Sequence, residues 1–401
     1  MTQDYRCFAW GLTMCGAVIR CCIFHDDIVR APSDMDILTM DSLKRLVALF
    51  VHWSFCSTGR LGYDTTMMHV PKTDTWEIKC ANYNASGKGV KVSKYITTGT
   101  IMNALALLGR HTCCYCAVHK GSKGSEEVVI KDSWSLPHNR KNDITAVDAL
   151  DEMQNLILTR EKFENEPLGF VYPQVVCGGS IKLCVGNNYI TDNTTNVYKY
   201  DGSEEQELFQ VHCHIVMAPV GCHIHSVEKK AKLMLVLADV TKCHNTILTR
   251  CELLHQDISI NNILVIHDGG STCRPVKGLL IDFDHAISVK QESSGNVARL
   301  GTLPFMSIHN LEQDHSRRTV LDDWESLLYL VCWLGTFGIN SADSSDIKKD
   351  EVKEISRWQS GDMQKIANQK HKHMHSQESF ETSIVVGFQG GCIATMGLVS
   401  T

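Results

Sequence analysis

Residues Leu254–Asp284 read LHQDISINNILVIHDGGSTCRPVKGLLIDFD, and this stretch decides how the rest of the chain is interpreted. It holds the motif His255-x-Asp257-x4-Asn262, then an apolar run, a Gly-rich turn, a second apolar run and Asp282. Two apolar runs on either side of a Gly-rich turn predict a pair of β-strands. Such a hairpin would return Asp282 to the loop that carries Asp257 and Asn262.

These residue types suit phosphoryl transfer. The reaction needs a carboxylate beside the attacking hydroxyl, and oxygen ligands that hold Mg²⁺ on the nucleotide phosphates. Asp257 can supply the first group, and Asn262 and Asp282 are the candidate metal ligands. The alternative is a capped helix end followed by a turn with acidic surface residues, which a lone H-x-D would favour. The combined spacing and the apolar flanks favour the catalytic interpretation.

With these motifs the sequence resembles a eukaryotic-type protein kinase, and the resemblance implies roles for residues upstream. Lys131 ends the apolar run VVIK and would bind the nucleotide phosphates. Glu152, which lies inside a predicted helix, is its best partner. Asp148 and Asp151 remain alternatives because the sequence does not fix the register of that helix.

The same resemblance implies a surface for ATP. The segment from Gly109 to Ala117 looks like a reduced phosphate-covering hairpin, with one glycine where kinases generally have three. Residues 214–221 (HIVMAPVG) resemble the hinge that joins two lobes, so backbone groups around Met217 and Pro219 would bind adenine. The implied cofactors are ATP and Mg²⁺, and the implied partners are the nucleotide and a protein substrate.

Downstream segments narrow the resemblance. Residues 301–308 (GTLPFMSI) look like the substrate-facing loop of kinases, and we expect Thr302 to contact Asp257, which favours Ser/Thr over Tyr as the acceptor. Asp323 in DDWESL would brace the catalytic loop, and both segments are in the casein-kinase-1 style. The phrases VIKDSW, LHQDISINNIL, GLLIDFDHA, GTLPFMSI and LDDWESLLYLVCWLGTFGIN together resemble the fungal-type protein kinase family over residues 105–340. LGYDTTM resembles that family's N-terminal extension more loosely.

Three positions depart from the general kinase pattern. Gln256 replaces the Arg that binds a phosphate on the activation segment, and Ser259 replaces a Lys that contacts the transferring phosphate. Asp284 replaces the Gly of D-F-G. Gln256, Ser259 and the single glycine of the phosphate-covering hairpin keep open a catalytically impaired pseudokinase that acts as a nucleotide-binding or interaction module. The fungal-type family shares the features at Ser259 and Asp284. A small-molecule phosphotransferase of the aminoglycoside-kinase type is the other alternative, although the G-T-x-x-F loop and the D-D-W-E-S helix start argue against it.

The order of the predicted elements indicates the fold class. A β-rich first half precedes a helix-rich second half, which predicts an α+β, two-lobed protein-kinase-like fold with a β-rich N-lobe and a helical C-lobe. Apolar spacing predicts helices at 40–55 (with Asp41 as N-cap), 143–160, 227–248 and 321–337, and strands at 7–24, 105–118, 128–131, 263–266 and 279–281. The expected domains are an N-terminal accessory segment at 1–100, the N-lobe to the hinge at 101–222, the C-lobe at 223–385 and an atypical tail, open to disorder, at 386–401.

Composition bounds the remaining classes. The 401 residues are 43% hydrophobic with a net charge of −6, which is typical of a globular protein and speaks against a nucleic-acid partner. The 18 cysteines have no even spacing, so we expect reduced thiols in an intracellular protein, cytoplasmic or nuclear. Apolar residues 7–19 resemble a signal core, but Asp4 precedes them and the apolar character resumes at 21–24. No stretch reaches the roughly 18 apolar residues that span a bilayer, so no membrane partner is expected.

Two groups of closely spaced histidines are interpreted as structural and not as metal sites. One group offers ligand-type side chains at a spacing that fits no zinc pattern, and the predicted hinge already includes part of it. It consists of His212, Cys213, His214, Cys222, His223 and His225. The other group, His371, His373 and His375, is predicted to lie on a solvated helix face.

Overall fold

A large antiparallel sheet dominates the first half of the chain, and α-helices dominate the second half. The structure is a computed structural model that describes residues 9–25, 28–30, 34–82, 91–103, 112–121, 124, 126–135, 151–163, 168–185, 188–191, 211–267, 276–290, 301–312, 318–338 and 354–388. The chain forms two compact units, one of residues 1–153 and 175–220 and the other of residues 154–174 and 221–401. This mixed α/β architecture agrees with the predicted fold class.

A small sheet and one helix begin the first unit. The strands are β1 (Ala9–Cys15), β2 (Val18–His25), β3 (Ile28–Arg30) and β4 (Met35–Asp36). Strands β1 and β2 form an antiparallel hairpin, and β3 and β4 both pair with β2, so the strand pair predicted for residues 7–24 is confirmed. Helix α1 (Met40–Phe55) also agrees with its prediction, but its N-cap is Thr39 and not Asp41. The Thr39 hydroxyl accepts the amide hydrogen of Ser42, which satisfies a donor of the first turn.

The main sheet of the first unit has seven strands. The strands of this part of the chain are β5 (Met67–Val70), β6 (Thr75–Asn82), β7 (Lys91–Asn103), β8 (Cys113–His119), β9 (Val128–Ser135), β10 (Gln174–Ser180), the separate hairpin β11 (Lys182–Val185) and β12 (Asn188–Thr191), and β13 (Val211–Ala218). Their order in the sheet is β10-β13-β9-β8-β7-β6-β5, and β10 also pairs with β6. The strands from β6 to β10 and β13 therefore form a closed ring of pairings.

Successive side chains of a strand point to opposite faces, and this alternation separates two environments on β8, β9 and β13. One face belongs to the hydrophobic core and carries Tyr115 and Ile130, which are opposite each other in the register. The other face is less buried along β8 and carries Lys131 opposite Cys114. Neighbouring residues of β9 therefore point to opposite faces of the sheet, one into the hydrophobic core and the other to the less buried side.

The second unit is mainly helical. Its helices are α2 (Asp151–Phe163, whose first residues belong to the first unit), α3 (Lys230–Cys251), α4 (Ile308–Leu311), α5 (Val320–Phe337), α6 (Met363–Met374) and α7 (Gln377–Ser383). Its short strands are β14 (Cys222–His223), β15 (Leu253–Leu254), β16 (Ile263–His267), β17 (Val276–Leu280) and β18 (Ile287–Ser288). The predicted helices at 227–248 and 321–337 and the predicted strand pair β16–β17 are confirmed. Residues 143–150 of the predicted helix 143–160 lie outside the described residues. Within the described ranges no helix is long and apolar enough to cross a membrane.

Helix α6 contradicts the prediction of a solvated histidine face. His373 is fully buried, and its Nδ1 accepts a hydrogen bond of 3.2 Å from the indole N–H of Trp358. The prediction is wrong because the alternation of His with Lys and Met does not show which side of the helix meets the core. His371 remains exposed and lies 2.7 Å from Glu312.

Lys370 is buried on the same helix. Its ammonium group donates to the carbonyl of Met306 at 2.5 Å and lies 4.0 Å and 5.2 Å from the ring centres of Tyr329 and Trp358. Burial lowers the pKa of Lys370 from 10.5 to about 7, and the charge of Glu325 opposes this lowering only in part. The folded chain therefore holds this cation with carbonyl and aromatic contacts.

The chain after α7 stays packed as far as the described residues extend. Phe388, inside the predicted tail 386–401, is buried, and its ring would lie 3.0 Å from a Cβ placed on Gly335 of α5. Residues 389–401 lie outside the described part of the chain.

Gly278 provides a test of the packing between β17 and α3. A Cβ at this position would lie 2.2 Å from the backbone oxygen of Val236, so Gly278→Ala must displace the helix or the strand. We expect a loss of about 3 kcal/mol in the free energy of unfolding, measured by denaturant titration. Gly99→Ala in β7 is the matched control, because a Cβ there meets no atom within 4 Å. Equal stability of the two variants would contradict the packing described here.

Lys370 predicts a specific dependence of stability on pH. Its pKa is lower in the folded state than in the unfolded state, so the unfolded state binds more protons between about pH 7 and 10.5. The contribution of Lys370 is therefore most unfavourable below pH 7, and stability should be regained as the pH rises through this range. The difference in unfolding free energy between wild type and Lys370→Met should show this rise. A difference that is independent of pH would contradict the lowered pKa.

Candidate active site

Asp257 lies in the loop between β15 and β16, and two side chains fix its carboxylate. Its Oδ1 accepts hydrogen bonds of 3.0 Å from both the amide and the hydroxyl of Thr302. Its Oδ2 accepts a hydrogen bond of 3.1 Å from Asn262 Nδ2, which also donates to the Asp257 carbonyl at 2.9 Å. The structure thus brings together three of the residues that the sequence singled out, including the expected contact between Thr302 and Asp257.

Asp323, near the start of α5, binds the backbone of the loop that carries Asp257. Its Oδ2 accepts the amide of His255 and its Oδ1 accepts the amide of Gln256, both at 2.9 Å. His244 of α3 donates from Nε2 to the same Oδ2 at 2.7 Å. Gln256 has a φ of 68°, a conformation that non-glycine residues seldom adopt, and the bond to Asp323 holds its amide in place.

His255 connects the loop to the end of the β16–β17 hairpin. Its Nε2 donates to the carbonyl of Ile281 at 3.0 Å, and its Nδ1 accepts the amide of Asp257 at 3.3 Å. Burial lowers the pKa of His255, which favours the neutral ring that both bonds require. The ring also contacts Phe283 edge to face, with 4.8 Å between the ring centres.

Asp282 is the next residue in the chain after Ile281, and the backbone places it close to Asn262. The amide of Ile281 donates to the carbonyl of Asn262 at 2.9 Å, so the residue after Ile281 begins its turn next to the Asn262 loop. Asp282 itself has a φ of 67°. Since Asn262 uses its Nδ2 for Asp257, its Oδ1 is the atom that can serve as an oxygen ligand for a metal. A carboxylate and an amide oxygen are donors that suit Mg²⁺.

Arg318 is a buried cation that is not among the predicted site residues. Its guanidinium group donates to the Gln256 side-chain oxygen at 3.3 Å and to Asn310 Oδ1 at 2.9 Å. Together with Asp257 and Thr302 it lines a small cavity. Burial lowers the pKa of Arg318, although the nearby carboxylates counteract this effect. The sequence does not predict this contact, because Arg318 and Gln256 lie 62 positions apart.

The first unit holds the second group of predicted residues. Lys131 Nζ lies 2.7 Å from Glu152 Oε2, and both side chains are buried. Glu152 thus binds Lys131, as predicted, while Asp148 and the side chain of Asp151 lie outside the described part of the chain. A buried pair of opposite charges fixes the Lys131 ammonium in one position, because either charge alone would be costly to bury.

The strand register determines which neighbours share a face with Lys131. Val129 precedes Lys131 by two residues, and Met217 of β13 and Cys116 of β8 both lie opposite Val129. These partly exposed side chains form an apolar surface next to the ammonium group. Pro219 follows β13 after a cis peptide bond.

Ala117 and Gly109 are the two nucleotide contacts predicted in the phosphate-covering hairpin. Ala117 lies opposite Val128, is fully buried in the core cluster and therefore faces away from Lys131. The assignment of Ala117 to the nucleotide surface does not agree with this register, and Cys116 takes its place on the Lys131 face. The sequence did not fix which alternate residues of β8 point to the core. Gly109 lies outside the described residues.

Both arrangements are those of protein kinases, which use a Lys–Glu ion pair on a strand and an H-x-D-x4-N loop followed by a metal-binding Asp. The class of protein is therefore a kinase. The model of the family described as "Fungal protein kinase" matches residues 1–157 and 184–335, which is most of the chain. The chain belongs to the fungal protein kinase family, as its motifs predicted. No curated protein matches it. Membership of a kinase family indicates phosphoryl transfer and implies the use of ATP, usually with Mg²⁺.

Asp323 provides a stability test of this site. In Asp323→Asn only one oxygen remains to accept the three hydrogen bonds, and the new NH₂ group faces backbone donors. We expect a loss of about 3 kcal/mol in the free energy of unfolding, because buried donors lose their acceptor. Asp74→Asn is the control, since Asp74 is exposed and Asn also tolerates its φ of 52°. A loss no greater than that of the control would show that the amides of His255 and Gln256 do not depend on Asp323.

Proposed function

We propose that this fungal protein kinase transfers the γ-phosphate of ATP, in the presence of Mg²⁺, to Ser or Thr hydroxyls of a protein substrate. Asp257 orients and deprotonates the hydroxyl, and Asn262 and Asp282 hold Mg²⁺ on the phosphates. Lys131 positions the α- and β-phosphates, and Glu152 positions Lys131.

The observation that supports this proposal best is the environment of the Asp257 carboxylate. Both of its oxygens accept hydrogen bonds, from Asn262 on one side and Thr302 on the other. A fixed carboxylate can receive a hydroxyl proton without first reorganising, which is the main demand that the reaction makes on the protein. The contact with Thr302 joins the proposed substrate loop to the proposed catalytic residue and favours Ser/Thr over Tyr.

The proposal includes the arrangement of the chain. We assign residues 101–222 to the N-lobe and the hinge and residues 223–385 to the C-lobe, with residues 1–100 as an accessory segment. Adenine would pack on the surface of Val129, Cys116 and Met217, and the backbone near Pro219 would bind its polar edge. This assignment is supported by the register of β8, β9 and β13, which puts these apolar side chains and Lys131 on one face.

One observation favours a pseudokinase as the second candidate. Ser259 is buried, and its hydroxyl finds no hydrogen-bond partner among the described residues, so it adds no charge near the transferring phosphate. Arg318 is the cation that could compensate, since it lines the same cavity as Asp257. If the protein is an active kinase, either Arg318 replaces the missing positive charge or the reaction proceeds at a lower rate without it.

The test is Mg²⁺-dependent transfer of label from ATP to a mixed protein substrate, followed by analysis of the labelled amino acids. We expect label on Ser or Thr, and a decrease of about 100-fold or more in Asp257→Asn and in Lys131→Met. Asp74→Asn and Lys365→Met are matched controls, because both residues belong to exposed ion pairs that contribute little to stability. Both controls should retain the wild-type rate.

Each other result would contradict a different part of the proposal. Absence of transfer, with ATP still raising the thermal midpoint, would identify the nucleotide-binding pseudokinase. Transfer to an aminoglycoside but not to protein would identify the small-molecule phosphotransferase. Transfer that persists in Asp257→Asn would show that the assigned base is wrong.

A further inference from the structure

Four side chains of metal-ligand type meet inside the first unit, on the sheet face opposite Lys131. Asp132 immediately follows Lys131 on β9, His212 and His214 lie on β13, and Asp64 belongs to the segment LGYDTTM. One ligand atom from each of the four residues lies within 4.8 Å of the others, and all four residues are buried. Two of these residues belong to the cluster that its spacing alone spoke against as a zinc site.

The separations between the ligand atoms suit one small ion. His214 Nε2 lies 3.7 Å from Asp64 Oδ2 and 3.7 Å from Asp132 Oδ1. Tetrahedral Zn²⁺ with bonds of about 2.0–2.2 Å separates its ligand atoms by about 3.3–3.6 Å. A third pair, His212 Nε2 and Asp132 Oδ1, is 2.6 Å apart and shares a proton that the ion would replace.

His214 gives the independent observation that points to a ligand. It is 1% exposed, and its Nε2 has no hydrogen-bond partner among the residues that the structure describes, although two carboxylate oxygens face it. Buried ring nitrogens are normally hydrogen-bonded. A nitrogen placed between two carboxylates, too far from either to donate to it, is positioned as a ligand of an ion between them.

The outer contacts of the cluster orient its members. The amide and the hydroxyl of Thr66 both donate to Asp64 at 2.7 Å. Cys80 Sγ lies 3.9 Å from the other ring nitrogen of His214, and the His212 ring stacks on Trp134 at 4.6 Å between the ring centres. Metal ligands in proteins are held by such outer partners.

Charge favours the same occupant. Two buried carboxylates are costly unless positive charge accompanies them. A divalent ion neutralises both and lets both imidazoles bind as neutral ligands, so that no buried charge is left over. Two imidazoles and two carboxylates in a closed, dry site are a donor set for Zn²⁺.

We propose that Asp64, Asp132, His212 and His214 form a structural Zn²⁺ site that fastens the segment LGYDTTM to strands β9 and β13. All four positions are taken by protein groups, so the ion has no open position for a substrate and its role is structural. The site is separate from the proposed phosphoryl transfer, and either can hold without the other.

The first experiment measures the metal content of the full chain, purified without chelators, by mass spectrometry. We expect about one Zn²⁺ per chain in wild type and a loss of more than about 100-fold in Zn²⁺ affinity in Asp64→Asn and His214→Gln, since removal of an outer partner alone costs about 10- to 100-fold. His69→Gln is the matched control, because His69 also lies 2.8 Å from a carboxylate, that of Asp74, but at the surface. It should retain the metal.

The second experiment needs no variant that might fail to fold. Zn²⁺ added back to chelator-treated wild type at about 100 times its Kd should raise the thermal midpoint by roughly 5–10 °C. Co²⁺ in its place should give the visible absorption of a tetrahedral ion with nitrogen and oxygen ligands. Wild type that holds no zinc and gains no stability from it would overturn the proposal. Thiolate-to-cobalt absorption would also overturn it, because the ligands would then be cysteines.

Discussion

The buried carboxylate of Asp323 makes the contacts on which the loop that carries Asp257 depends. One side chain accepts the amides of two successive residues, His255 and Gln256, and the ring nitrogen of His244 from a different helix. A carboxylate that is 2% exposed is stable only when donors replace the water it has lost. Burial and loop conformation therefore require each other, because the loop supplies the donors and Asp323 supplies their acceptor. Asp257 follows directly in sequence, so its position depends on the same contact.

Asp322, the neighbour of Asp323, performs the equivalent task for the loop of residues 301–308. Its Oδ1 accepts the hydroxyl of Ser307 at 2.6 Å, and its Oδ2 accepts the amide of Thr319 in a capping box that begins α5. Burial alone would raise the pKa of Asp322, but the hydrogen bonds from Ser307 and Thr319 outweigh it and lower that pKa. Two consecutive acids at one helix start thus fix two different loops, which explains why the D-D pair is informative in the sequence.

A feature of the fold was predictable when residues close together in sequence determine it, and was not predictable when distant residues do. Helix α1 and the β16–β17 hairpin were predictable because spacing and turn residues within a short segment determine them. Thr302 and Asp257 were paired through a motif. Packing partners far away in sequence determine three other features. They are the direction in which the Ala117 side chain points, the burial of His373 and the place of Arg318 in the cavity lining. Periodicity identifies the two faces of a strand or helix, but it does not say which face meets the core.

The His214 cluster shows the same limit. Spacing along β13 alone spoke against zinc because the other two ligand-type groups come from Asp64 and Asp132, which lie 150 and 82 residues earlier in the chain. The pairing of β9 with β13 puts Asp132 opposite His214, and the segment LGYDTTM adds Asp64. Lys131 and Asp132 are adjacent, so backbone constraints on one also act on the other. An ion bound at Asp132 would stiffen β9 from the face opposite Lys131, and the segment LGYDTTM would then support the orientation of Lys131 through the strand.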